Sequence, residues 1–587
     1  MNQRPIVRLT LACLVLFGQS FSPFSKEAFS QSLAYSPVRA QHGMVASSDE
    51  LASKVGVEVL KRGGNAVDAA VAVGLALAVT WPGAGNIGGG GFMLIRKAAG
   101  GTTAIDYRER APGKAHRGIF LDQKGNVIPG VSVTGHRAVG VPGTVAGLAL
   151  ALEKYGTMKW RDVIEPARRL AAEGYVFTDF NKVGKTDQVI KLLEKFPESR
   201  RIFLRDGKYY QAGETFKQPE LAETLRRLQE FGPREFYEGR TAQLIAEEMD
   251  ANGGVITLDD LKAYEAKERQ PVRGTYRGYE IITMPPPSSG GIVLIEMLNI
   301  LEHYDLAGMR HNSAEKYHLL IEAMRRAFAD RAEFLGDPDF VNVPVAGLIS
   351  KGYAAELVKS IDVSRATPSV EIRSGRPTKY ESPQTTHYSV VDAMGNAVSN
   401  TFTLNGAYGS GVTVRGAGFL LNNEMDDFAA KPGSPNKFGL IQGEANAIAP
   451  GKRPVSSTTP TIVLKDGKLF LVLGTPGGPT ITTQILQVLL NVFDHGMNIQ
   501  QAVNAPRIHH QWLPDVVQYE PHGMAQDVMN ALIRKGHRLQ LKDDYLEELR
   551  SIRGAIGDVE GVMIEPETGM RLGASDPRNS NARAVGY

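Results

Sequence analysis

An α+β fold, with antiparallel strands in the interior and helices outside, is what this sequence predicts, and three observations carry it. From about Pro219 to Phe340 apolar residues recur at helical spacing, as in PELAETLRRLQEF and AEKYHLLIEAMRRAFADRAEFL. From Thr385 onward short β-like runs (THYSVV, AVSNTFTL, TIVL, LFLVL) alternate with glycine turns, and no repeat of fixed period is evident. The composition, 63 glycines in 587 residues with 42% hydrophobic side chains, suits a loop-rich enzyme with a large core better than a coiled coil or a disordered chain. A formal charge of +3 offers no electrostatic footprint for nucleic acid. Cys13 is the only cysteine, which excludes a disulfide framework and any CxxC zinc or redox site.

Taken in order, the first 30 residues resemble a secretory signal. Arg4 and Arg8 precede the apolar run Leu9 to Phe17, and small residues at Ala28 and Ser30 suit cleavage near Ser30. The run is too short to span a bilayer, which needs about 20 residues, so no membrane association is expected after its removal. Ser47 and Ser48 are placed to cap a helix from Asp49 toward Leu60, with Gly63 and Gly64 stopping it. Asn65 caps a second helix, in which Ala69 to Val79 is apolar on every face and so predicted to be buried all round. Gly83, Gly85 and Gly88 match the dinucleotide pattern GxGxxG, but the order is helix, glycines, then the strand-like Phe92 to Ile95. That is the reverse of what nucleotide binding requires, and a tight turn allowing close backbone packing is the better reading. Pro368, Pro377 and Pro383 mark residues 364–384 as an exposed linker of low intrinsic order. Beyond it, TTHYSVVDAMGNAVSNTFTLN is predicted to be a hairpin turning at Asp392 to Asn396, in a register that sets Thr385 opposite Thr403.

The segments NAVDAAVAV, GGGGFML, DYRERAP, TTHYSVVD, TLN, LLNNEMDDF, KRPVSSTTPTIV, GTPGGP and NAPRIHHQW occur in that order along nearly the whole chain. In this series the chain resembles the γ-glutamyltranspeptidase family of N-terminal nucleophile hydrolases. The resemblance implies a four-layer αββα sandwich. It also implies a precursor that cuts itself between Gln384 and Thr385, giving a large subunit (residues 31–384) and a small one (385–587) that remain one folded heterodimer. A freed N-terminal threonine carries its own base, because an α-amine has a pKa of about 7.7–8.0 and sits on the same residue as the hydroxyl.

By the same resemblance Thr385 is the nucleophile and Thr403 holds its hydroxyl. Gly477 and Gly478, just before a helix predicted to start near Thr480, supply backbone N–H groups to the oxyanion. Arg108, Ser456 and Ser457 bind the α-carboxylate of a γ-glutamyl group, and Asn405, Glu424 and Asp427 bind its α-ammonium; the neighbouring Asp426 competes for the last role. The implied substrates are glutathione and other γ-glutamyl compounds, with water, amino acids or peptides as acceptors. No cofactor and no metal are implied. His509 and His510 are adjacent, so on a strand they diverge rather than chelate one ion, and His387 is read as a structural hydrogen-bonding residue. Glu424 stands where many bacterial members resemble glutamine. Phe438 stands where several have a tyrosine in the loop that covers the site. Rival readings are a related acylase of glutaryl or cephalosporin type, a poly-γ-glutamate depolymerase, and a noncatalytic secreted binding protein on the same scaffold.

Overall fold

The computed structural model describes residues 35–178, 187–377, 388–542 and 556–587. The signal-like segment, Thr385 and His387 lie outside these residues. The body considered below runs from Pro37 to Tyr587.

Fourteen strands build two seven-stranded sheets. They are β1 (Val38–Ala40), β2 (Met44–Ser47), β3 (Gly90–Arg96), β4 (Thr102–Tyr107), β5 (Lys267–Arg269), β6 (Val272–Tyr276), β7 (Tyr279–Thr283), β8 (Tyr388–Val391), β9 (Ala397–Thr403), β10 (Thr461–Lys465), β11 (Lys468–Gly474), β12 (Glu560–Ile564), β13 (Arg571–Ser575) and β14 (Arg583–Gly586). One sheet has the order β1-β13-β12-β11-β10-β7-β6, the other β14-β2-β8-β9-β3-β4-β5, and neighbours are antiparallel throughout. Each sheet draws strands from both sides of the Gln384–Thr385 junction. Neither sheet could be completed by residues from one side alone.

The two sheets face each other across an apolar core that includes Ala46, Phe92, Leu94, Ile282, Ala397, Ile462, Val472 and Val562. Helices cover the outer faces. On one side lie α1 (Glu50–Lys61), α2 (Ala66–Thr80) and α3 (Thr144–Tyr155), packed with Met93, Ile95, Val390 and Val398 in one apolar cluster. On the other lie α4 (Gly290–Leu301), α5 (Ala314–Phe334) and α6 (Thr480–Phe493), packed with Ile281, Val463, Leu471 and Leu473. The result is the four-layer αββα sandwich.

Helix α2 is buried at every position, as its uniformly apolar sequence requires, and Asn65 caps it in a reciprocal box with Asp68. The cap of α1 differs from the expectation. Asp49, not Ser47 or Ser48, accepts from Ala52 N, while Ser47 Oγ is used on Asp49 O and Ser53. The glycine run is a close-packing device: a Cβ on Gly88 or Gly89 would lie 2.1 Å from the carbonyl oxygen of Leu420 or Thr403. These glycines let the entry to β3 press against the end of β9. The hairpin has the expected register, with Tyr388 opposite Asn400 and Val391 opposite Ala397.

Two stretches hold more than their composition suggested. The stretch read as mainly helical contains β5 to β7, whose short alternating runs are flanked by stronger helical periodicity. The stretch 364–384, where it is described, alternates exposed residues with points tied to the body. Ser369 is fully buried, with its N–H on Asp515 and its carbonyl on Trp512 Nε1, and Gly375 N donates to Asp330. Tertiary partners from distant segments supply the order that local composition lacks. Among the described residues no helix is long and apolar enough to cross a membrane.

Candidate active site

Several strand ends meet at one edge of the sandwich, where β9 ends at Thr403, β4 runs into Arg108, β10 is preceded by Ser456 and Ser457, and β11 runs into Gly477 and Gly478. They line a pocket that is partly open to solvent. Nine of the ten residues singled out in the sequence line it: Arg108, Thr403, Asn405, Glu424, Asp427, Ser456, Ser457, Gly477 and Gly478. The tenth, Thr385, lies outside the described residues.

The charged wall is built around Arg108, which is 1% exposed. Its Nη1 lies 2.7 Å from Glu424 Oε2 and 3.5 Å from Glu109 Oε2, and its Nη2 donates to Asp427 Oδ2 at 2.5 Å. Its Nε donates to Pro454 O, which fixes the plane of the guanidinium. Burial acts against the charge of Arg108, but the three carboxylates more than offset it and its pKa is raised. The carboxylates are in excess of the cation. Burial pushes Glu109 up to about 8 despite Arg108, and pushes Glu424 well above the usual carboxylate range, with Glu109 and Asp427 adding to the effect. The Glu109 oxygens find no hydrogen-bonding partner among the described residues, and Glu424 is met by Arg108. Such a wall is short of positive charge, and a bound cation would relieve it.

Asp426 and Asp427 part company. Asp426 accepts from Ser132 Oγ and Lys437 N, away from the pocket, whereas Asp427 faces it. Asn405 sits at φ 72°, a left-handed conformation that asparagine tolerates better than most residues. Its Nδ2 donates to Asn423 O, which anchors the side chain at the pocket. Thr403 Oγ1 accepts from Asn405 N and is held at the pocket rim.

Gly477 and Gly478 have φ 139° and 58°, conformations that exclude most side chains. Their carbonyls accept from Thr480 N and Ile481 N at the start of α6, while their own N–H groups have no acceptor among the described residues. Two free donors at a helix start suit a developing oxyanion. A Cβ on Gly478 would lie 3.2 Å from the Phe438 ring, so the loop that carries Phe438 packs directly over these donors.

Two residues not anticipated from sequence belong to this wall. Glu109 completes the carboxylate excess; in DYRERAP it is one more charged residue beside Arg108. Arg331, on α5, donates to Ser289 Oγ at 2.8 Å and to Ser457 Oγ at 3.2 Å. An arginine on a fully buried helix face was the available signal, but helical periodicity alone does not reveal which face is buried.

The histidines serve structure. His509 bonds Thr483 Oγ1 and Gln511, and His510 bonds Asp515, and burial lowers them to about 3 and about 4. His318, Glu322 and His537 bring ligand atoms within 4.8 Å of one another. The Glu322 carboxylate is engaged by Arg325, Arg326 and Thr367, and these guanidiniums oppose a metal cation there.

Two antiparallel sheets packed between helices, with paired backbone donors at the strand ends, define the sandwich of N-terminal nucleophile hydrolases. In keeping with that class, the chain superposes on the crystal structure of cephalosporin acylase from Bacillus halodurans with a TM-score of 0.81 and 30% identity, covering 97% of this chain and 99% of that one. The model of the family Gamma-glutamyltranspeptidase matches residues 52–586, and the chain belongs to that family. It is 51% identical to the glutathione hydrolase proenzyme of Escherichia coli (strain K12) over 94% of this chain and 93% of that protein. It is 47% identical to the γ-glutamyltranspeptidase of Helicobacter pylori, whose structure covers 56% of this chain and 94% of its own with a TM-score of 0.55.

Proposed function

We propose that the chain is the exported precursor of a γ-glutamyltransferase and glutathione hydrolase, activated by its own cleavage between Gln384 and Thr385. The observation that carries the reading is the convergence, in one pocket, of an excess of buried carboxylates, a serine pair backed by a buried arginine, and two unpaired backbone donors. A γ-glutamyl group offers a cation, an anion and a carbonyl to match these three in turn.

In the cut enzyme the α-amine of Thr385 takes the proton from its own Oγ as Oγ attacks the δ-carbonyl. The oxyanion that forms is held by Gly477 N and Gly478 N, each donor lowering the barrier by about 3 kcal/mol. Collapse returns the proton to the leaving amine, releasing cysteinylglycine when the donor is glutathione, and leaves a γ-glutamyl ester on Thr385. Water or the amine of an acceptor then attacks the ester by the reverse route. Thr403 positions the hydroxyl, and the uncut chain is inactive because its Thr385 nitrogen is an amide. Arg108, Ser456 and Ser457 hold the α-carboxylate, and Asn405, Glu424 and Asp427 the α-ammonium. Since both sheets use strands from each side of the cut, the two pieces stay together as a heterodimer. Residues 1–30 direct export, and the exported protein is periplasmic or secreted.

The acylase neighbour supports a second reading, hydrolysis of glutaryl-type amides. The carboxylate excess favours the first, because a substrate without the ammonium leaves that excess unrelieved. Kinetics with γ-glutamyl anilide and with glutaryl anilide separate them. The γ-glutamyl compound is expected to be turned over at least about 100-fold more efficiently, in line with one or two lost charged contacts. Equal efficiency would favour the acylase.

A further inference from the structure

Arg331 is buried in α5, 4% exposed, and among the described residues it makes no ion pair with a carboxylate. Its two hydrogen bonds go to neutral hydroxyls: Nε to Ser289 Oγ at 2.8 Å and Nη2 to Ser457 Oγ at 3.2 Å. A buried guanidinium without a counter-ion is costly, and burial lowers Arg331 to about 10, opposed only by the charge of Asp427. The arginine reaches both pocket serines. It touches Ser457 directly, and Ser289 passes its influence on by donating to Ser456 O at 2.8 Å through Oγ and at 2.7 Å through its N–H.

The direction of these bonds matters more than their number. Arginine can only donate. Ser457 Oγ therefore accepts a hydrogen bond from the guanidinium, and its own hydroxyl hydrogen finds no acceptor among the described residues. Ser457 lines the pocket. The hydroxyl is thus turned and polarised as a donor into the cavity. Arg108 is differently placed, since Glu424 and Asp427 already engage its guanidinium.

We infer that Arg331 is a positioning residue for the substrate α-carboxylate: it acts through Ser457 and finds its counter-charge in the bound carboxylate. This rests on the γ-glutamyl reading of the pocket and adds to it a source of positive charge outside the residues that touch substrate.

The test compares γ-glutamyl anilide with 4-aminobutyryl anilide, which keeps the amine and lacks the α-carboxylate, on processed enzyme. Arg331→Gln is expected to raise KM for γ-glutamyl anilide by about 10- to 100-fold, the range for a lost hydrogen bond to a charged group, with kcat within about threefold. KM for the decarboxylated substrate stays unchanged. In a Ser457→Ala background the same substitution adds clearly less than it does in the wild type, because its direct path to the substrate is gone and only the route through Ser289 and Ser456 is left. Arg331→Lys recovers part of the loss. Ser289→Ala shifts the two KM values in the same sense as Arg331→Gln, and it carries the test if the glutamine variant does not fold. Equal effects on both substrates, or penalties of Arg331→Gln and Ser457→Ala that multiply in full, would overturn the inference. If the wild-type enzyme itself shows one KM for both substrates, the γ-glutamyl reading fails first. If the wild type discriminates and Arg331→Gln leaves the ratio unchanged, only the role of Arg331 fails.

Discussion

Glu109→Gln tests whether the carboxylates around Arg108 are in excess. Glu109 is fully buried, both of its oxygens lack a hydrogen-bonding partner among the described residues, and burial holds it at about 8 against an ordinary value of 4.5. Because its folded pKa is raised, its carboxyl favours the folded protein below pH 4.5. That contribution is lost as pH rises toward about 8, since folded protein must keep a proton that the unfolded chain has released. The slope is about 1.4 kcal/mol per pH unit, so the loss between pH 5 and pH 8 is about 4 kcal/mol. Glutamine has no proton to keep and removes this slope. The assay is the thermal midpoint of wild type and variant from pH 5 to pH 8. The two are expected to be close at pH 5, with the variant gaining steadily and standing several degrees above wild type at pH 8. Parallel curves would refute the reasoning. The same excess predicts that wild type releases protons when L-glutamate binds at pH 7, as buffer-dependent heats would detect, and that the variant releases fewer.

Other substitutions follow from the same geometry. Gly478→Ala places a methyl 3.2 Å from the Phe438 ring at φ 58°, disturbing one oxyanion donor. It should lower kcat for γ-glutamyl anilide by about 100-fold with little change in KM, and a KM effect alone would contradict that placement. Asp68→Ala leaves Asn65 N, Thr157 N, Thr157 Oγ1 and Met158 N without their acceptor. A loss of about 3–5 kcal/mol is expected by chemical denaturation; a loss below about 1 kcal/mol would mean that water replaces the carboxylate.

What the sequence made legible was local or short in range. The Asn65 cap, the uniformly apolar α2 and the hairpin register followed from periodicity and turn chemistry, which the chain satisfies within a few residues. The glycine run could be told from a nucleotide loop because its order along the chain was wrong for one. Nine pocket residues were named in advance by resemblance, but the reasons for their orientation were not visible. Asp427 faces the pocket because Ser132, far away in sequence, holds Asp426 aside. Glu109 and Arg331 escaped notice because a charge buried without a matched partner is a property of tertiary packing. The stretch before Pro377 read as disordered for the same reason: Asp330, Trp512 and Asp515 fix it, and none is near in the chain.

Self-cleavage that creates the nucleophile is tested most directly by intact-mass analysis of the purified protein with N-terminal sequencing of its smaller piece. Two polypeptides are expected, the smaller one beginning Thr385-Thr386-His387, with Thr385→Ala remaining a single inactive chain. A wild-type protein that stays whole, a smaller piece with another first residue, or a Thr385→Ala variant that is cut as usual would contradict it.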